Sequence, residues 1–227
     1  MDRREESPWL TFDCYDTLVR YSESKAETLA ALVRGKGGDD RAVDAAQTAF
    51  EASEKELQLG AFQLLNAILR ESLHRAFEAA GLAGTVADEE MMIEAVRGAE
   101  PFPEVVEVLR DLKRDHRLAI LSNSEPDIIR HNVVRLGTGF DAIVLAYHAE
   151  CYKPAVGMFD ALLERVGAPP AAVTHIAQSF YHDMRTAKDV GIGRRIWINR
   201  YGRDGDPAYV PDAVLSDLSG VRGALAK

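Results

Sequence analysis

From residue 101 onward the sequence alternates between two rhythms. Short apolar runs, "LAIL" (118–121), "DAIVLA" (141–146), "THIA" (174–177) and "RIWI" (195–198), each follow a stretch with helical spacing. Those stretches begin near Pro103 and then cover about 126–136, 155–166 and 183–190. Strand and helix in alternation predict a parallel sheet with right-handed crossovers and helices on both faces. Residues 9–13, "WLTFD", read as a first buried strand, and Ala213–Leu215 as a short last one. Between the first strand and residue 98 the rhythm is helical alone. In "SKAETLAALVR", Ala26, Leu29, Ala30 and Val33 fall on one face. "GKGGDD" (35–40) breaks that helix. A second is expected over 41–58, with Val43, Ala46 and Phe50 on one side. A third is expected over 62–80, with Leu65, Leu69, Leu73 and Phe77, and a short fourth over 88–97. The expected fold is α/β: a Rossmann-like parallel sheet core made of residues 1–21 and 99–227, with a helical insertion at 22–98.

Length and charge bound the function. A chain of 227 residues buries a sizeable core as one large domain or a domain plus an insertion. Its net charge of -9 argues against nucleic acid or an anionic membrane surface as partner. A small anionic substrate in a locally positive pocket stays compatible with it. No apolar run approaches the length of a membrane span, and "MDRREESPWL" lacks the apolar stretch of a signal peptide. Two cysteines, Cys14 and Cys151, make no disulfide framework, so a reducing, cytoplasmic setting is expected.

The polar residues gather at the strand ends. Asp13 closes the first strand, Ser122 and Asn123 follow "LAIL", Lys153 follows "DAIVLA", and Gln178, Ser179 and Asp183 follow "THIA". Open parallel sheets bind ligands beyond the carboxyl ends of their strands, so these residues are expected to share one site. Their types suit covalent hydrolysis. A carboxylate such as Asp13 can attack a substrate and form a covalent intermediate. A nearby lysine keeps it ionised and balances an anionic substrate. Ser122, Asn123 and backbone N–H groups after Asp13 can hold anionic oxygens. Asp183 can hold Lys153 in place or orient a hydrolytic water. The six histidines show no metal-ligand pairing with cysteine or glutamate. "GKGGDD" follows no strand and reads as a turn rather than a phosphate loop.

Four motifs stand in order: "FDCYDTL" (12–18), "LSNS" (121–124), "YKP" (152–154) and "AQSFYHD" (177–183). Together they resemble the haloacid dehalogenase (HAD) superfamily, and most closely its L-2-haloacid dehalogenase branch. The resemblance implies the HAD fold, with residues 22–98 as an α-helical cap, and Asp13 as covalent nucleophile. It makes Tyr15 the tyrosine of that branch. It places Thr17, Ser122 and Asn123 around the nucleophile or the substrate carboxylate, and gives Lys153 and Asp183 the hydrolytic step. It implies no metal and no cofactor. Phosphatases of the superfamily carry a second aspartate two residues after the nucleophile, and a metal-binding aspartate in a "GDS" motif. Here those positions are Tyr15 and Gln178. A departing halide needs no proton and no metal. The expected activity is therefore metal-independent hydrolysis of a small 2-halo carboxylic acid.

The alternatives are a Mg²⁺-dependent phosphatase of a small phosphorylated metabolite, with Asp16 as a displaced acid, and a catalytically idle ligand-binding homologue. The sequence departs from the branch at several points. The helix "VDAAQTAFEASEKELQ" (43–58) lacks the halide-binding arginine, and Phe159 stands for a tyrosine. Gln178 and Phe180 stand for a serine and an asparagine, and Asp16 for a glycine. The amphipathic cap helices offer a face for a homodimer.

Overall fold

The computed structural model describes residues 7–226. Residues 1–6, on which part of the signal-peptide reading falls, and residue 227 lie outside the described residues. The chain forms two compact units. The first takes the chain up to Val19, Pro101–Asn123 and everything from Val133; the second takes Arg20–Glu100 and Ser124–Asn132.

The first unit is built on six strands: β1 (Trp9–Phe12), β2 (Arg117–Ser122), β3 (Ala142–Leu145), β4 (Val173–Ala177), β5 (Arg194–Ile198) and β6 (Ala213–Leu215). Their order is β3-β2-β1-β4-β5-β6, and every pairing is parallel. The strands on one side of β1 come early in the chain and those on the other side late. The direction of winding thus reverses between β1 and β4, the place where open parallel sheets bind ligands beyond their strands' carboxyl ends. Central strands of a parallel sheet are covered on both faces, so they read as continuous apolar runs. β1 is buried throughout, and Phe12, Ile120, Ile176 and Ile196 have no exposed surface. This is the α/β fold that the alternation predicts.

Helices are numbered in chain order. α1 (Tyr21–Gly35), α2 (Asp40–Leu59), α3 (Leu65–Ala79) and α4 (Val86–Arg97) build the inserted unit. α5 (Val105–Leu112), α6 (Pro126–Arg135), α7 (Ala146–Ala149), α8 (Val156–Val166), α9 (Arg185–Asp189) and α10 (Val221–Leu225) connect or follow the strands. In the inserted unit the apolar faces close on one another through Val43, Ala46 and Phe50 of α2, and Leu65, Leu69, Leu73 and Phe77 of α3. Asp39 caps α2 by accepting from the Ala42 N–H at 2.9 Å. Thr85 and Asp88 form a capping box at α4. Gly37, at φ +86°, makes the turn after α1 that a side chain would strain. No described helix is long and apolar enough to cross a membrane.

Two elements differ from expectation at the site itself. β1 ends at Phe12, one residue early: the Asp13 N–H still donates to Ile176 O at 3.1 Å, but the chain then folds back. The Leu18 and Val19 N–H groups both donate to Cys14 O in that tight loop. The helix expected at 183–190 is instead a π-helical turn, Phe180–Met184, followed by α9. Ser179 caps it, accepting from the His182 N–H at 3.0 Å. That leaves the Asp183 carboxylate for other partners.

Candidate active site

Three charged side chains meet where the winding reverses. The Lys153 ammonium donates to Asp13 Oδ1 at 2.8 Å, to Asp183 Oδ1 at 2.8 Å and to Leu121 O at 3.0 Å. Each of its three protons has an acceptor, and it is 2% exposed. Asp13 is 6% exposed and Asp183 fully buried, so water screens little of this charge. Burial works against the Lys153 ammonium, yet Asp13 and Asp183 outweigh it and hold it above the ordinary lysine value. Burial also works against Asp183, but Lys153 and then His175 bring its carboxyl down to about 2. Burial pushes Asp13 up; Lys153 opposes the rise and the Asp183 charge adds to it. Of the two carboxylates on one ammonium, Asp183 keeps its charge and Asp13 is the first to take a proton.

The loop after β1 is tied to its neighbours. Thr17 Oγ1 donates to Asp13 Oδ2 at 2.7 Å and accepts from the Gln178 N–H at 2.8 Å. The Trp197 indole donates to Gln178 O at 2.8 Å, and Phe180 packs edge-on against Trp197 at 4.9 Å. Phe180, where the dehalogenase branch has an asparagine, is thus an apolar anchor. The Arg200 guanidinium donates to Thr17 O at 2.9 Å and to Glu104 Oε1 at 2.6 Å, and lies 3.7 Å from the Phe102 ring centre.

The other residues singled out in the sequence fall in three settings. Ser122, at the tip of β2, is fully buried, and its hydroxyl has no protein partner. Asn123 donates from Nδ2 to Lys153 O at 3.2 Å and accepts from the Lys153 N–H at 2.7 Å. Its amide therefore grips the backbone of the lysine from both ends. Tyr15 and Asp16 are half-buried, and Asp16 holds a left-handed backbone at φ +59°. His182 is half-buried, its Nδ1 3.1 Å from Ser179 Oγ. Cys14, in the same loop, is held as a thiol: burial, and then the Asp13 charge, push it well above the ordinary range.

Sequence reasoning missed one member. His175, inside β4, is fully buried with Nε2 2.9 Å from Asp183 Oδ1. Its Nδ1 lies 2.8 Å from Thr11 Oγ1 on β1, because Thr11 and His175 are register partners. Its ring packs edge-on against Phe159 at 5.2 Å. The signal was a histidine among the apolar residues of a short strand, two residues before the strand end.

The donor set bears on a metal. A hard divalent cation takes six or more oxygen ligands and favours carboxylates. Here two carboxylates share one ammonium, and the end of β4 carries the neutral Gln178. Among the described residues there is no group of three or more His, Cys, Asp or Glu placed to hold a metal ion. Any hard cation here would have to compete with the Lys153 ammonium for Asp13 and Asp183.

A Rossmann-like core that sets two carboxylates and a lysine beyond the strand ends, at the reversal point, defines a doubly wound α/β protein with a charged, buried site. More particularly, the family model of haloacid dehalogenase-like hydrolases matches residues 9–191, and the chain belongs to that family of enzymes. An L-2-haloacid dehalogenase from Xanthobacter autotrophicus superposes with a TM-score of 0.82 at 20% identity, over 97% of this chain and 98% of that one. A second L-2-haloacid dehalogenase gives 0.85 at 22% identity, over 97% and 99%. At such identities these structures show the fold. A phosphoserine phosphatase from Thermus thermophilus is 28% identical over 120 residues, 52% of this chain and 48% of its own length. The chain spans about half or less of the length of the curated relatives it matches.

Proposed function

We propose that the protein is a metal-independent hydrolase of small 2-halo carboxylic acids, with Asp13 as covalent nucleophile. The observation that carries this reading is the sharing of Lys153 by Asp13 and Asp183, with a tyrosine rather than an acid two residues after Asp13. Such a site can displace a group that leaves without a proton. The Asp13 carboxylate attacks C2, the carbon–halogen bond breaks, and the halide departs with the bonding electrons. Water then adds to the aspartyl carbonyl and passes a proton to Asp183, whose Oδ2 is buried without a protein partner. The ester C–O bond breaks and the 2-hydroxy acid takes up that proton. The regenerated Asp13 acid releases its own proton to solvent. Lys153 offsets the charge on both carboxylates throughout, and Ser122 Oγ is a free donor for the substrate carboxylate. Tyr15 and Thr17 complete the nucleophile's surroundings. Asn123 acts through the backbone of Lys153. The two free cysteines fit a reducing, cytoplasmic location.

A second reading is Mg²⁺-dependent hydrolysis of a small phosphate ester, with Asp13, the Tyr15 carbonyl and Asp183 as the residues that would hold the cation, and the likeness to a phosphoserine phosphatase favours it. One comparison separates the two. Purified protein is given L-2-chloropropionate or p-nitrophenyl phosphate, each with Mg²⁺ and with EDTA. Halide release that survives EDTA is the expected result. Phosphate release that requires Mg²⁺, without halide release, overturns the first reading. Silence across a wider panel of halo acids and phosphate esters leaves a ligand-binding homologue. Asp13→Asn is expected to abolish halide release.

A further inference from the structure

The ammonium of Lys153 treats its two carboxylates alike, at 2.8 Å from each. Something else must make one of them nucleophile and the other the acceptor for water. Their remaining partners differ. Asp13 has the Thr17 hydroxyl on its second oxygen. Asp183 has His175 on the same oxygen that Lys153 holds, and its second oxygen has no protein partner.

We infer that His175 is a positioning residue: as the Nε2–H tautomer, fixed by the Thr11 hydroxyl, it pins Asp183 through Oδ1 and leaves Oδ2 as that carboxylate's one open acceptor. Hydrogen-bond accounting gives the tautomer. An ionised carboxylate only accepts, so Nε2 must carry the proton. The Thr11 hydroxyl has one proton and two acceptors in reach, Nδ1 at 2.8 Å and Thr174 O at 3.3 Å. The shorter contact takes it, and Nδ1 is left bare. Packing holds the ring in place between these two partners. His175 is fully buried, packed against Phe159, and set opposite Thr11 by the β1–β4 register. The same logic orients the imidazole of a hydrolase triad through a buried partner on its far nitrogen. Here the order is inverted, with the histidine orienting the acid. Lys153 and His175 both hold Oδ1, so the carboxylate cannot rotate without breaking two charge-assisted bonds.

The part played in turnover rests on the reading of Asp13 as nucleophile; the tautomer does not. Two measurements keep them apart. In protein labelled with ¹⁵N-histidine, the His175 ring is expected to show a protonated Nε2 and a bare Nδ1, and Thr11→Val to change the Nδ1 signal. A bare Nε2, or a doubly protonated ring, overturns the inference whatever the enzyme turns over. In the second, His175→Phe and His175→Gln are assayed with L-2-chloropropionate, and the covalent ester is followed by intact mass. The loss of positioning in His175→Phe is expected to lower kcat about 100-fold with KM nearly unchanged. The ester should then accumulate, and His175→Gln, which keeps a donor, should recover part of the rate. Wild-type kcat in a folded His175→Phe overturns the inference. A wild-type enzyme that turns over no halo acid, with the expected ring signals, overturns the reading of function alone.

Discussion

Thr17 stands four residues after Asp13 and closes on it, Oγ1 to Oδ2, at 2.7 Å. The same hydroxyl accepts from the Gln178 N–H at 2.8 Å, so one side chain joins the loop after β1 to the end of β4. Thr17→Val keeps the shape and removes both bonds. A buried N–H left without an acceptor costs about 1–3 kcal/mol, so a lower midpoint of urea unfolding is expected. Halide release should fall as Asp13 loses its donor. Thr17→Ser should restore both. Equal midpoints for Val and wild type would show that water replaces the hydroxyl.

Lys153 carries a larger share of the site. In Lys153→Met two buried carboxylates face each other without a cation. Breaking a buried ion pair on one side costs about 3–5 kcal/mol. One of the acids takes up a proton to relieve the repulsion. Loss of turnover and a large drop in stability are expected. The double variant Lys153→Met/Asp183→Asn should regain much of the stability and none of the activity. A double variant no more stable than Lys153→Met would show that the cost lies in packing rather than charge.

The two acids are shifted in opposite directions. Asp13 is raised above 3.8 by burial. As the proposed nucleophile it must be ionised, so kcat/KM should fall with decreasing pH around a midpoint above 3.8. Asp183 is lowered to about 2 despite burial, chiefly by Lys153. Its contribution to stability is therefore present above its unfolded value near 3.8, and is lost as pH falls from there toward 2. Lys153 is raised above 10.5, so no basic limb from it should appear below that value. A pH–rate profile and urea titrations between pH 2 and 7 check all three. An acid limb centred below 3.8 would mean that Lys153 and Thr17 outweigh burial at Asp13, the reverse of the balance that makes it the first of the two acids to take a proton.

The sheet was legible because its parallel strands are short apolar runs separated by helical spacing. Asp13, Ser122, Lys153 and Asp183 were legible because each follows such a run. What escaped was set by pairing across strands. Nothing local in "THIA" says that His175 lies opposite Thr11, or that a π-helical turn at Phe180–Met184 brings Asp183 to within 2.9 Å of it. Arg200 was hidden for the same reason, since it reaches Thr17 O across 183 residues. Asn123 was visible as a polar strand end, but its grip on Lys153 depended on where the loop after β3 travels.

Asp16 sits at φ +59°, a backbone region that costs most side chains about 1–2 kcal/mol and glycine little. Its N–H donates to Val19 O at 2.8 Å, which holds the turn. Aspartate tolerates this region better than β-branched residues do. Asp16→Gly is expected to stay within about 0.5 kcal/mol of wild type, while Asp16→Val should lose about 1–2 kcal/mol. Thermal unfolding of the two variants measures the difference. If Asp16 also acted as a displaced acid, Asp16→Asn would abolish phosphate release while leaving stability unchanged. The dehalogenase reading expects halide release to persist in that variant.

The inserted unit has its own buried charge. Glu54 on α2 accepts from Tyr21 Oη at 2.7 Å and from the Lys25 ammonium, and that ammonium lies 4.0 Å from the Tyr21 ring centre. All three residues are less than a tenth exposed. The pair joins α1 to α2 near Phe50, whose ring centre is 5.4 Å from Lys25 Nζ. Lys25→Met strands the Glu54 carboxylate with a single donor and is expected to cost about 3–5 kcal/mol. Replacing the whole group, as Lys25→Met/Glu54→Leu/Tyr21→Phe, removes every buried polar atom of the triad and should recover most of that loss, because apolar residues of similar volume pack without a desolvation cost. Urea unfolding of the single and triple variants decides it. A triple variant as unstable as Lys25→Met would mean that the ion pair itself, rather than the avoidance of a stranded charge, holds α1 against α2.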